Sequence, residues 1–74
     1  MKEYIINVAQ IEELQMTADM KELDKIFDRS KQTIVNGAAV LLVRSTVNGF
    51  AEKFDELTTL AALQEYKDGV YKYL

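Results

Sequence analysis

Two hydrophobic periods alternate along this chain, and each predicts a different kind of element. Residues 3–8 are rich in β-branched and aromatic side chains, which favours a first strand. Residues 9–17 repeat apolar side chains at helical spacing, which fits either a short helix or a packed loop. Residues 17–36 carry a stripe of apolar side chains at three- and four-residue spacing, which predicts the main helix.

Polar residues mark both ends of this main helix. Thr17 or Asp19 can cap its first turn by accepting hydrogen bonds from free amide groups. Asn36 and Gly37 supply a stop, because glycine readily adopts the left-handed conformation found at helix ends. In an alternative interpretation the helix ends earlier, residues 33–35 form a strand, and the same Asn-Gly pair is a hairpin turn. We prefer the helix.

The middle of the chain favours a β-hairpin. Residues 38–47 are mostly apolar, as is typical of a buried strand, and residues 50–54 alternate as a returning strand would. Between them, Asn48 and Gly49 form the dipeptide that most strongly indicates a two-residue hairpin turn.

The last segment favours a second amphipathic helix. Thr58 or Thr59 can cap it, and apolar residues at positions 60, 63, 66 and 70 share one helical face. Gly69 interrupts this stripe. Either the helix continues through Gly69, or the glycine ends a turn and residues 70–74 form a last strand.

The predicted element order is β-α-β-β-α, with a final strand as an option. Residues 1–74 are predicted to form a single α+β domain, a small two-layer sandwich with the helices on one face of a mainly antiparallel sheet. With the sixth element the arrangement would be ferredoxin-like, βαββαβ.

The hairpin register predicts which side chains share a face. A two-residue turn at 48–49 places Ser45 opposite Glu52 and Arg44 opposite Lys53, a like-charge pair costing roughly 0.2–1 kcal/mol. The face predicted to pack against the helices holds Tyr4, Ile6, Val8, Ala39, Leu41, Val43, Val47, Phe50 and Phe54. The opposite face, predicted to be uncovered, holds the predicted interface residues, Ile5, Val40, Leu42, Arg44 and Lys53. An apolar patch bordered by charge is typical of a contact surface.

The amino-acid composition limits the kinds of catalytic and metal site that the chain can form. The 74 residues include no cysteine and no histidine, which excludes disulfides, thiolate chemistry and the commonest metal ligand and general base. The three glycines are far apart and form no phosphate-binding loop. We therefore expect no catalytic residues, no metal site and no cofactor, and thus no enzyme.

The charge of the chain argues against nucleic acid as its main partner. The net charge is −3, which disfavours broad binding to polyanions and to anionic membranes. Residues 29–51 nevertheless lack any acidic residue. A weak nucleic-acid-binding or regulatory domain is therefore kept as an alternative, with contacts from Arg29, Lys31, Arg44 and Lys53.

Two short segments resemble the RNA-recognition motif. Residues 4–8 resemble its first signature strand, and residues 49–51 resemble the start of its second. The resemblance implies the βαββαβ order and base stacking on exposed sheet aromatics. Glu52 and Lys53 depart from it, since they stand where the family has an aromatic and an aliphatic residue.

The sequence thus favours a non-enzymatic protein-interaction or adaptor module, which we expect to self-associate as a homodimer through the open sheet face. A chain of 74 residues has a thin core, and this one has no disulfide to reinforce it. The longest apolar run, residues 38–43, is too short to span a bilayer, and residues 1–4 lack a signal-peptide pattern. A cytoplasmic location is the default expectation.

Overall fold

Three strands and three helices make up the described part of the chain. A computed structural model describes residues 3–45, 49, 51–72 and 74. Its elements are β1 (Tyr4–Asn7), α1 (Val8–Met16), α2 (Met20–Val35), β2 (Val40–Ser45), β3 (Ala51–Leu57) and α3 (Leu60–Tyr71). The predicted α+β class is confirmed, and of the two alternatives for residues 9–17 the helix is correct, with its last residue at Met16.

Helices α1 and α2 are separated by a short break. Asn7 caps α1 by accepting from the amide of Ala9 at 3.0 Å. Thr17 ends α1 rather than starting α2, because its amide donates to the carbonyl of Glu13. Asp19 caps α2, since its carboxylate accepts from the amide of Glu22 at 3.2 Å. Of the two predicted caps, Asp19 is therefore the one used.

Helix α2 ends where the Asn-Gly pair predicted. Gly37 has a φ of +86°, which glycine adopts without a steric penalty. Its amide donates to the carbonyl of Ile34 at 2.9 Å, and the amide of Ala38 donates to the carbonyl of Thr33 at 3.0 Å. This paired pattern is a Schellman motif. The alternative strand at residues 33–35 is therefore wrong.

Helix α3 runs through its internal glycine. Thr59 caps it by accepting from the amide of Ala62 at 3.1 Å, as one of the two predicted caps would. The helix continues past Gly69 to Tyr71. The alternative last strand over residues 70–74 is wrong where the structure describes those positions; Tyr73 lies outside the described residues.

The sheet has the order β1-β2-β3 and is mixed. Strand β1 pairs with β2 in parallel, and β2 pairs with β3 antiparallel. The expectation of a mainly antiparallel sheet is therefore not met. A ferredoxin-like fold contains a split βαβ unit, whereas here the first two strands are direct neighbours and no fourth strand occurs in the described residues. The βαββαβ order implied by the RNA-recognition resemblance is likewise absent from them.

The register of the hairpin differs from the predicted one by a single residue. Arg44 lies opposite Glu52, and Ser45 lies opposite Ala51. An irregularity then shifts the ladder between Leu42 and Val43, where β3 carries one extra residue. The predicted pairing of Arg44 with Lys53 is therefore wrong. Of the predicted turn, Gly49 has a φ of +82°; Asn48, with Val47 and Phe50, lies outside the described residues.

The core lies between one face of the sheet and the three helices. Its strand residues are Ile6, Val40, Leu42 and Leu57, and its helical residues are Ile11, Leu23, Ile26, Phe27, Leu63 and Val70. The described residues measure 31 × 29 × 17 Å, and the short dimension matches one sheet and one layer of helices.

The faces of β2 are therefore the reverse of those predicted. Val40 and Leu42 are 0% and 2% exposed in the core, although the sequence predicts them on the face turned away from the helices. Their pairing with Tyr4 and Ile6 of β1 turns them towards the helices, because side-by-side residues share a face. On β1 the prediction is confirmed, since Ile6 is buried in the core and Ile5 is exposed.

Candidate functional surfaces

The face of the sheet turned away from the helices is the first candidate surface. We call it the open face and define it by Ile5, Leu41, Val43, Lys53 and Glu56, which pair side by side across the strands. Ile5 is 59% exposed, whereas Leu41 is half-buried and Val43 is buried. The three helices pack on the opposite face of the sheet, where their buried residues form part of the hydrophobic core. The open face is thus apolar on β1 and β2 and charged on β3.

The charged side of the open face contains one ion pair. The Lys53 ammonium lies 3.8 Å from the carboxylate of Glu56, and both side chains are roughly half exposed. An exposed pair of this kind contributes only about 0–1 kcal/mol to stability. Both groups can therefore exchange partners at little cost.

The structure separates the five predicted interface residues. Ile5 and Lys53 lie on the open face. Val40 and Leu42 are buried beneath the helices, and Arg44 shares their side of the sheet. A role in association therefore stays a prediction for Ile5 and Lys53 alone.

Arg44 belongs instead to a second candidate surface, a cleft between α1 and α3. The cleft has a volume of about 410 Å³ and lies beside the end of β2. We call it the α1–α3 cleft. Its apolar walls include Val8, Ile11 and Val70, and its polar groups are Glu12, Gln15, Arg44, Glu65 and Tyr66. The Arg44 guanidinium lies 2.9 Å from the carboxylate of Glu12.

Helices α1 and α3 are joined across this cleft by one direct hydrogen bond. The side-chain amide of Gln15 donates to the backbone carbonyl of Val70 at 3.0 Å. That carbonyl lies in the last turn of α3, where helical carbonyls lack a partner within the helix. The bond therefore fixes the spacing of the two helices at the cleft.

Tyr66 lies at the inner wall of the cleft. Its ring centroid is 5.9 Å from that of Phe27, so the ring extends the core. Its hydroxyl oxygen is buried and has no hydrogen-bond partner among the described residues. Burial raises the pKa of this hydroxyl, Glu12 raises it further, and Arg44 lowers it. The hydroxyl is thus an unsatisfied group close to the Arg44–Glu12 pair.

The four basic residues of the nucleic-acid alternative do not share a surface. Arg29 lies over the ring of Tyr4, 5.7 Å from its centroid. Lys31 lines a separate groove between α2 and α3. Arg44 lies at the α1–α3 cleft and Lys53 on the open face.

Comparison with known proteins assigns no relative to this chain. No protein-family model matches the sequence, and neither a curated protein nor a solved structure matches it. Within the described ranges, none of the helices combines the length and the apolar character needed to cross a bilayer.

No local pattern in the sequence indicates the α1–α3 cleft. Glu12 and Glu65 belong to different helices, and only the packing of α1 against α3 brings both to the cleft. Gly69 is an indirect indication of the cleft. A glycine inside an amphipathic helix weakens that helix, so its presence suggests a role in packing or function.

Proposed function

We propose that this chain is a non-enzymatic protein-interaction module that forms a homodimer through its open face. The observation that carries the proposal is the exposure of Ile5, which is 59% accessible beside the half-buried Leu41. An apolar side chain exposed on a sheet face is stabilised by burial against another apolar surface.

The charges of the open face are self-complementary. In a two-fold dimer the same patch is used on both copies, so residue i of one copy contacts residue j of the other. Lys53 and Glu56 lie together on β3, and their loose 3.8 Å contact can be exchanged for contacts between copies. In a two-fold dimer, Lys53 of each copy can therefore pair with Glu56 of the other copy.

The thin core provides a further reason for association. A domain of 74 residues buries only about 60% of the surface that its unfolded chain exposes. The sequence contains no cysteine and hence no disulfide. Burial of the open face would add apolar contacts that a single copy lacks.

The test is the solution mass of the chain and of two variants, measured by sedimentation from low to high micromolar concentration. We expect the wild type to reach the mass of a dimer and Ile5→Asp to remain a monomer, because a carboxylate buried in the interface is costly. Leu60→Asp is the matched control, since Leu60 is also an exposed aliphatic residue but lies in the first turn of α3.

Two results would contradict the proposal. One is a wild-type chain that stays monomeric over the whole concentration range. The other is a control that dissociates as completely as Ile5→Asp while its circular dichroism remains native. The nucleic-acid alternative is not proposed as a second function, because its four basic residues lie on separate surfaces.

A further inference from the structure

We infer that the α1–α3 cleft is a binding site for a small organic cation, an amine with an apolar body. The apolar body would contact Val8, Ile11 and Val70, and the ammonium would lie among Glu12, Glu65 and the Tyr66 hydroxyl. This site is on the helical side of the molecule, and it does not depend on association through the open face.

Position and volume both fit a small-molecule site. Ligand pockets commonly have volumes of about 300–1,000 Å³, and the cleft has about 410 Å³. In open sheets with parallel strands, ligands bind beyond the carboxyl ends of those strands. The cleft is lined by Val8, which directly follows β1, and by Arg44 near the end of β2, and these two strands are parallel.

Gly69 is an independent sign that the cleft is kept open. It lies inside α3, and its φ is not in the left-handed region that favours glycine. A Cβ atom at Gly69 would meet nothing within 4 Å, so close packing does not require glycine there either. Glycine is less favourable than alanine within a helix. Its remaining effect is to leave space in the wall of the cleft.

The charges of the cleft favour a cation over an anion. Two carboxylates, of Glu12 and Glu65, face one guanidinium, of Arg44. Neither ion pair formed by the described residues involves Glu65. A ligand anion would meet both carboxylates, whereas an ammonium would be attracted by them.

The Arg44–Glu12 pair can open to admit such a ligand. The two side chains are 56% and 53% exposed, so water can replace either partner. Near this pair lies the buried Tyr66 hydroxyl, which lacks a hydrogen-bond partner among the described residues. An ammonium that displaces the guanidinium can donate a hydrogen bond to this oxygen, which satisfies it.

The experiment compares three ligands that share one aromatic body: benzylamine, benzyl alcohol and benzoate. Each is titrated into the ¹⁵N-labelled chain, and amide shifts are followed by NMR. We expect benzylamine to shift the amides of Gln15, Tyr66 and Gly69, and to bind about tenfold more tightly than the other two. Added salt should reduce this preference.

Two variants connect the binding to the cleft. Gly69→Leu should fill the cleft and weaken benzylamine binding at least about tenfold, a loss easily resolved by titration. Ala61→Leu is the matched control, because it adds the same side chain at an exposed position of α3 outside the cleft. Glu65→Gln should lower the affinity for benzylamine towards that for benzyl alcohol.

The inference fails if benzylamine shifts none of the cleft amides at millimolar concentration. It also fails if benzoate binds as tightly as benzylamine, or if a folded Gly69→Leu variant binds as well as the control. Each of these results leaves the proposed dimer untouched, since the mass of the wild-type chain is measured separately.

Discussion

Glycine at position 69 leaves space in the wall of the α1–α3 cleft but lowers the stability of helix α3. Alanine in the middle of a helix is more favourable than glycine by about 0.5–1 kcal/mol. Because Gly69 lies in the last turn of α3 and a Cβ atom there meets nothing within 4 Å, Gly69→Ala should raise the free energy of unfolding by up to about that amount. Urea denaturation at equilibrium measures the change. A variant less stable than the wild type would show that glycine is required by packing.

Tyr71 links the stability of the fold to alkaline pH. Burial, followed by a hydrogen bond that its hydroxyl donates to Asp24, raises the pKa of Tyr71 from 10.0 to about 12. The folded chain therefore holds this proton more tightly than the unfolded chain does. The resulting stabilisation is complete below pH 10 and is lost as the pH rises towards 12.

The corresponding test compares the wild type with Tyr71→Phe. The free energy of unfolding of the wild type should fall more steeply than that of the variant between pH 10 and pH 12. The two proteins differ only at this hydroxyl, so the difference between the two curves isolates Tyr71. Parallel curves would show that the hydroxyl has the same pKa in the folded and unfolded chains.

Several single residues could be predicted because their chemistry is local. Asp19 and Thr59 cap helices through their own side chains, and Gly37 ends α2 through its own φ. Each needs only neighbours a few residues away, all of which are visible in the sequence. The cleft needs residues from separate elements, and no local pattern contains it.

At the scale of elements, the two faces of the sheet should differ sharply in their sensitivity to mutation. Leu42 is buried in the core, and Leu42→Ala should cost about 2–5 kcal/mol. Ile5→Ala should change stability by roughly 0.5 kcal/mol or less in the monomer, because Ile5 is largely exposed.

Chemical denaturation at a concentration too low for association measures both values. Val43 provides a useful third position, since it is buried but lies outside the main core cluster. Equal losses for Leu42→Ala and Ile5→Ala would mean that the faces of the sheet are assigned incorrectly.

The reversal of β2 has a physical cause in the strand itself. Residues 38–43 are apolar without interruption, so their own pattern does not distinguish an inner from an outer face. Only the register of the hairpin could decide which side chains of β2 face the helices. An error of one residue in that register moves every side chain to the other face of the sheet. Arg44 shows the result, since it lies opposite Glu52 rather than Lys53.

At the scale of the whole molecule, the α+β class could be predicted but the strand order could not. The class follows from the periods of the six segments. The order depends on which strands become neighbours, and β1 pairs with β2 across a connection that contains both α1 and α2. A connection of a dozen or more residues is what parallel neighbours require. The length of the connection between β1 and β2 is therefore the feature of the sequence that indicates a parallel pair, and hence a mixed sheet.

The whole molecule also keeps its two candidate surfaces apart. The open face lies on one side of the sheet, and the α1–α3 cleft lies on the helical side. A face-to-face dimer would therefore leave both clefts accessible to solvent. Occupancy of the cleft and association can be measured in the same sample without interfering directly.

The charged, irregular edge strand β3 limits how far any assembly can grow. An outer strand with free backbone groups is a template for adding further strands, which can lead to open-ended aggregates. On β3 the ladder is interrupted by an extra residue, and Glu52, Lys53, Asp55 and Glu56 carry charge along it. The other outer strand, β1, is only four residues long. Growth by strand addition is thus discouraged at both edges, and the proposed contact through the open face would yield a closed pair rather than a fibre.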